Sequence, residues 1–158
     1  MRRAVALALV VAAFAAQSCG DASEPVSAPI DGPCPVTKPA SGQRPAAMVS
    51  LLRGDVEQTA GHGHLWVVLP PEAANASASG STFTVKLPWF LNGPGALEIS
   101  GRRLDGRGTL SGSVAYDEPG EEPRMQAASV QLSTLGCYEV RGEHAGEVVT
   151  IVFAARAT

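Results

Sequence analysis

Along most of the chain, apolar and polar residues alternate in short runs, each closed by glycine, proline, asparagine or serine. Residues 82–87 are the cleanest case. Phe83, Val85 and Leu87 fall on one side and Thr82, Thr84 and Lys86 on the other, the two-residue period of a half-buried strand. Leu110, Gly112, Val114 and Tyr116 share a face opposite Thr109, Ser111 and Ser113, and Val130 and Leu132 face inward from 127–133. In 134–142, entered through Gly136, Tyr138 and Val140 lie on one face and Cys137, Glu139 and Arg141 on the other. Residues 96–104 put Leu97 and Ile99 together, and 148–155, rich in β-branched side chains, make a last strand. Residues 64–69 are apolar on both faces and stopped by Pro70-Pro71, as suits a central strand. Residues 48–52 read as an edge strand stopped by Arg53-Gly54-Asp55, and 72–81, made of Ala, Ser, Asn and Gly, as a loop. Asp105-Gly106-Arg107-Gly108 is a hairpin signal; Asn92-Gly93-Pro94-Gly95 and Glu143-His144-Ala145-Gly146 are turns.

No segment after Ala16 has a helical period. About seven short strands between turn signals predict an all-β fold, an immunoglobulin-like antiparallel β-sandwich, with a small barrel as the alternative. Gly136-Cys137-Tyr138-Glu139-Val140 supports the sandwich. It is similar to the tyrosine corner, in which a tyrosine at the start of the penultimate strand bonds back to the preceding loop. Cys137 has the parity opposite to Tyr138, so a disulfide from it would not cross the core. It would fasten another segment to the outer face of the sheet.

The first residues carry a different pattern. Met1-Arg2-Arg3 is followed by an unbroken apolar run over 4–16, too short to span a bilayer and of the length of a signal-peptide core. Ala16-Gln17-Ser18-Cys19 then resembles a bacterial lipobox, with Ala16 where leucine is usual. Residues 1–18 are expected to be a lipoprotein signal peptide and Cys19 the lipidated residue. Of the three cysteines, Cys34 and Cys137 remain to pair in an oxidising compartment. Residues 19–46, with Pro25, Pro29, Pro33, Pro35, Pro39 and Pro45, read as a semi-extended tether pinned through Cys34, and residues 47–158 as the β-sandwich domain.

Composition narrows the function. Without Arg2 and Arg3, ten basic side chains face fifteen acidic ones. A nucleic-acid partner is not expected, for want of a basic patch. His62 and His64 stand at i, i+2; on a strand both rings would project from one face, as in zinc and copper sites. His144 is a candidate third ligand, with Asp55, Glu57, Met48 or Met125 to complete a set. Trp89 and Phe90, between a strand and a turn, are candidates to touch a saccharide or protein partner if exposed, and to close the end of the sandwich if not. No Gly-x-Ser-x-Gly, His-Glu-x-x-His or phosphate loop is present, and Asp117, Glu118, Glu121 and Glu122 lie in a Pro/Gly loop where solvated charge accounts for them. Neither a catalytic residue nor a cofactor is expected.

Leu65-Trp66-Val67-Val68-Leu69-Pro70, Lys86-Leu87-Pro88-Trp89, the run from Leu97 through Gly101-Arg102-Arg103-Leu104-Asp105, and Gly136-Cys137-Tyr138-Glu139-Val140-Arg141-Gly142 together resemble a group of secreted bacterial proteins and lipoproteins. In that group tryptophan often stands where this chain has Tyr138. The resemblance implies a compact β-domain at the cell envelope and carries no known activity. The expectation is an extracytoplasmic protein held on the bacterial cell membrane by the lipid on Cys19, acting as a binding or accessory module. An envelope metal-binding protein using His62 and His64 is the alternative.

Overall fold

The computed structural model describes residues 32–52, 55–71, 74–115 and 122–157. The signal peptide, Cys19 and the tether up to residue 31 lie outside the described residues, as do Arg53, Gly54, Tyr116 and the acidic loop at Asp117, Glu118 and Glu121.

Nine strands follow a short helix, α1 (Ala46–Leu52), and a single 3-10 turn. They are β1 (Thr59–His62), β2 (Leu65–Val68), β3 (Ala74–Ser79), β4 (Thr82–Leu91) and β5 (Glu98–Arg103), then β6 (Leu110–Val114), β7 (Arg124–Leu132), β8 (Gly136–His144) and β9 (Glu147–Ala157). One sheet runs β3-β4-β7-β6 and the other β5-β8-β9. These are the A-B-E-D and C-F-G orders of a constant-type immunoglobulin sandwich. The expected fold class therefore stands, with two additions. β1 and β2 form a hairpin that extends the first sheet along β4, and β3 also pairs in parallel with β9, so the strands number nine and are not all antiparallel.

The core lies between the sheets, where Leu65, Val67, Val85, Leu87, Trp89 and Val130 face Tyr138, Val140, Ile151 and Phe153. Trp89 fits because Gly142 stands across from it: a Cβ on Gly142 would come within 2.4 Å of the Trp89 ring. Trp89 on β4 and Gly142 on β8 thus meet across the core, between the strands that take the B and F places, which antibody domains join by a disulfide. Tyr138 behaves as its motif predicts, its hydroxyl donating to the Thr134 carbonyl at 2.8 Å.

Cys137 also behaves as its parity predicts. It is bonded to Cys34 and belongs to the outer face of β8, where the N-terminal segment covers it. From Cys34 this segment wraps the open side of the sandwich. Thr37 exchanges bonds with the β9 backbone at Val152 (2.9 and 2.7 Å), and the Ala40 N–H reaches the Thr59 carbonyl on β1 at 2.9 Å. The Arg44 guanidinium lies 5.8 Å from the Trp66 ring centroid, and α1 follows. From Cys34 on, the segment is a strap bonded along the sandwich.

Two expectations fail locally. Residues 48–52 form part of a helix rather than an edge strand. Pro45 precedes Ala46 and Ala47, a good helix start, and Met48 and Leu52 share the face laid on Trp66 and Phe90. Within the presumed loop 72–81, residues Ala74–Ser79 form β3. Ala74 and Ala76 are buried, but alanine is too small to make the alternation conspicuous.

A notch interrupts the first sheet. β2 pairs with the end of β4 (Trp89 to Leu91) and β3 with its beginning (Thr82 to Thr84), on the same edge, and residues 85–88 have no partner registered there. Continued, the β2 register would set Pro88 opposite Val68 and Lys86 opposite Pro70. The Asn92 N–H bonds to the His64 carbonyl across this edge, so by alternation it is Lys86 and Pro88 whose backbones face it. Neither proline can donate, so the ladder stops and the chain swings out through Pro70-Pro71 before β3 rejoins.

Candidate functional site

All three histidines gather at one end of the sandwich, where the β1–β2 turn, the β4–β5 loop and the β8–β9 turn meet. His62 is the last residue of β1 and His64 lies in the turn, separated by Gly63 at φ 49°. They flank a reversal of the chain instead of standing at i, i+2 on one strand, so the shared face expected for them does not exist. His62 is exposed. Its Nε2 donates to the Val148 carbonyl at 3.1 Å, and its Nδ1 is 3.9 Å from a Glu147 carboxylate oxygen. That same oxygen accepts the His64 backbone N–H at 2.7 Å. Gly63 is required at the centre, because a Cβ there would fall 2.0 Å from the other Glu147 oxygen.

His144 points the other way. It is buried on the inward face of β8, its Nδ1 3.3 Å from the Ala96 carbonyl, and its Nε2 has no hydrogen-bond partner among the described residues. The neighbouring carbonyl, Gly95, accepts from Arg124 Nη2 at 3.0 Å, so the β4–β5 loop is held from both sheets by two adjacent carbonyls. Among the described residues, no three His, Cys, Asp or Glu side chains come together as a metal site. The structure brings His62 and His64 to Glu147 and leaves His144 inside, tied to the loop.

Trp89 and Phe90 are not an exposed pair. Both are buried, on opposite faces of β4: Trp89 enters the main core and Phe90 packs with Trp66 and Met48 under α1. The strand runs on to Leu91 despite Pro88, because the proline nitrogen faces the unpaired notch. As candidate ligand contacts these two residues are thereby corrected to core residues.

At the opposite end, two of the motifs picked out in the sequence fold onto each other. β5 pairs with β8 so that Arg102 faces Glu139 and Arg103 faces Tyr138. Arg102 and Glu139 form an ion pair at 2.8 Å. Arg103 donates to Asp105 (2.6 Å), Thr134 (2.6 Å) and the Arg107 carbonyl (2.8 Å), beside the Tyr138 hydroxyl. Burial pushes the Asp105 carboxyl up. The Arg103 hydrogen bond, the Cys137 backbone N–H and the Arg103 charge outweigh it and hold Asp105 below the usual carboxylate range. The hydrogen bond to Asp105 in turn raises Arg103 against its own desolvation. A carboxylate held ionised by a fixed cation is a brace and a poor proton donor or acceptor near neutral pH.

The sequence did not single out Arg124 or Glu147, the two side chains that tie the histidine end together. Both open strands, at positions where charge is ordinarily solvated, and only their tertiary partners distinguish them. Fold and sites together define an immunoglobulin-like sandwich braced by polar ties at both ends. Compared with protein-family models, curated proteins and solved structures, the chain finds no match in any of the three.

Proposed function

We propose that the protein is a lipid-anchored, extracytoplasmic binding module of the bacterial envelope that performs no catalysis. The observation that carries this reading is the pairing of Cys34 with Cys137. It uses two of three cysteines and leaves Cys19, three residues past the end of the apolar run, as the odd one. A disulfide of this kind belongs to an oxidising compartment. The polar side chains at the two ends of the sandwich are committed to holding loops, which favours recognition by a rigid surface over chemistry. The partner is then an envelope saccharide or protein, reached from the membrane by the chain between Cys19 and Cys34.

The test is metabolic. In a bacterium fed an alkyne fatty acid, the wild-type chain should become labelled and sediment with membranes, and Cys19→Ser should do neither. A wild-type chain recovered unlabelled from the cytosol, with Cys34 and Cys137 reduced, would overturn the proposal.

A further inference from the structure

We infer that the outer face of the first sheet, with the notch beside β4, is a binding site for a polysaccharide strand. The inference rests on the binding-module reading and names its surface and ligand class. The two outer faces of the sandwich are made soluble in different ways. That of β5-β8-β9 carries paired charges, Arg102 with Glu139 and Arg141 with Glu143, each at 2.8 Å. The uncovered part of the other face carries hydroxyls and amides. Ser77, Thr84, Gln131 and Ser111 stand in register across four strands, and Lys86, Ser129 and Ser113 form the next row. Four strands at the usual spacing make the row about 14 Å wide. Among the described residues, the side chains of Thr84, Lys86, Gln131 and Ser111 take no intramolecular hydrogen bond or ion pair, so their donors and acceptors are free for a ligand.

The face ends in a cleft of about 430 Å³, formed where the prolines stop the ladder and lined by Pro70, Pro71, Asn75, Ser77, Thr84 and Lys86. Its chemistry is mixed in the way a sugar needs. Hydroxyls and an amide both give and accept hydrogen bonds, proline rings offer flat apolar surface to C–H faces, and the backbone of Lys86 faces the gap. Short Ser, Thr and Asn side chains lose little rotamer freedom when a ligand orders them. Charge points the same way. Among the described residues, Lys86 is the one charged side chain in these two rows and the cleft lining, and no carboxylate stands with it, although acidic residues outnumber basic ones in the chain. The surface therefore suits a neutral or weakly acidic polyhydroxylated chain.

The full chain, purified from membranes in detergent, is tested by co-sedimentation with insoluble peptidoglycan sacculi, chitin and cellulose. Wild type should sediment with at least one of these polymers. Thr84→Glu/Gln131→Glu should weaken that binding at least tenfold, Lys86→Glu should weaken it as a single exposed change, and Arg141→Glu on the opposite face should leave it unaltered. Unchanged melting temperatures establish that the variants are folded. Equal binding by wild type and both face variants would overturn the site while leaving a binding module elsewhere on the molecule. Failure of wild type to bind any of the three polymers would overturn the ligand class, and the fatty-acid labelling would still decide the anchor on its own.

Discussion

Tyr138 serves two neighbourhoods at once: its ring packs against Phe153 with centroids 6.3 Å apart, and its hydroxyl ends on the Thr134 carbonyl. Tyr138→Phe keeps the ring and deletes the bond, so it should cost about 1 kcal/mol in urea denaturation with the far-ultraviolet spectrum unchanged. A loss near zero would mean that the corner is ornamental. Asp105, close by, makes a pH prediction. Its folded-state pKa is lowered, so the stabilisation is fully present above the unfolded carboxylate value and is lost as pH falls through the lower folded one. Denaturation midpoints of wild type should decline over that acidic window more steeply than those of Asp105→Asn, which lacks the titration. Gly142 sets a steric limit of a different kind. Gly142→Ala pushes a methyl into Trp89 and should destabilise by about 1–3 kcal/mol, the range for overpacking a core.

At the scale of elements, the strap decides how the sandwich is closed. Between Cys34 and α1 it meets the edge of β9, the edge of β1 and the apolar Trp66 and Phe90 surface, so it hides two open strand edges and one apolar patch. In the chain-entropy model a disulfide closing a loop of this length is worth up to about 4.7 kcal/mol. Cys34→Ser should therefore lower stability by a few kcal/mol, speed amide exchange at Val152 and shift Trp66 emission to the red, yet leave the β-spectrum recognisable. Loss of all β structure would show that the bond holds the sandwich itself. The strap also marks the limit of what the pattern of residues revealed. The strands from Thr82 onward were legible because most alternate large apolar and polar side chains and the last is rich in β-branched residues. Cys137 was assignable to the outer face because parity on a strand is local information. The helix was misread because Met-Val-Ser-Leu-Leu fits either period over so few residues, and β3 because its inward side chains are alanines. The tie from His144 to Ala96 and the notch behind Pro70 and Pro88 depend on which strands become neighbours, and no spacing in the sequence states that.

For the molecule as a whole, the contacts of the strap tie the chain from Cys34 on to the sandwich. A chain beginning at 47 lacks the disulfide, the Thr37 bonds to β9, the Ala40 bond to β1 and the Arg44 guanidinium that stacks on Trp66 while holding the Ala40 and Gly42 carbonyls. It would still carry α1 from Ala47 on, but without the covalent and hydrogen-bonded frame that delivers the helix to the sheet. A chain beginning at 33 keeps every one of these contacts. The two truncations, compared by thermal unfolding, should therefore separate. The version from 33 should melt with the longer chain, and the version from 47 should melt lower by on the order of 10 °C or more, since each kcal/mol moves a domain of this size by several degrees. Equal melting points for the two would show that the strap merely rests on the sandwich. The expected separation would place the mechanical connection between any membrane anchor and the domain at Cys137, in the middle strand of the β5-β8-β9 sheet. Tension arriving from the N-terminus would then reach the core strand directly, and the strap behind the disulfide would be spared the pull that could peel it from the sheet edges it protects.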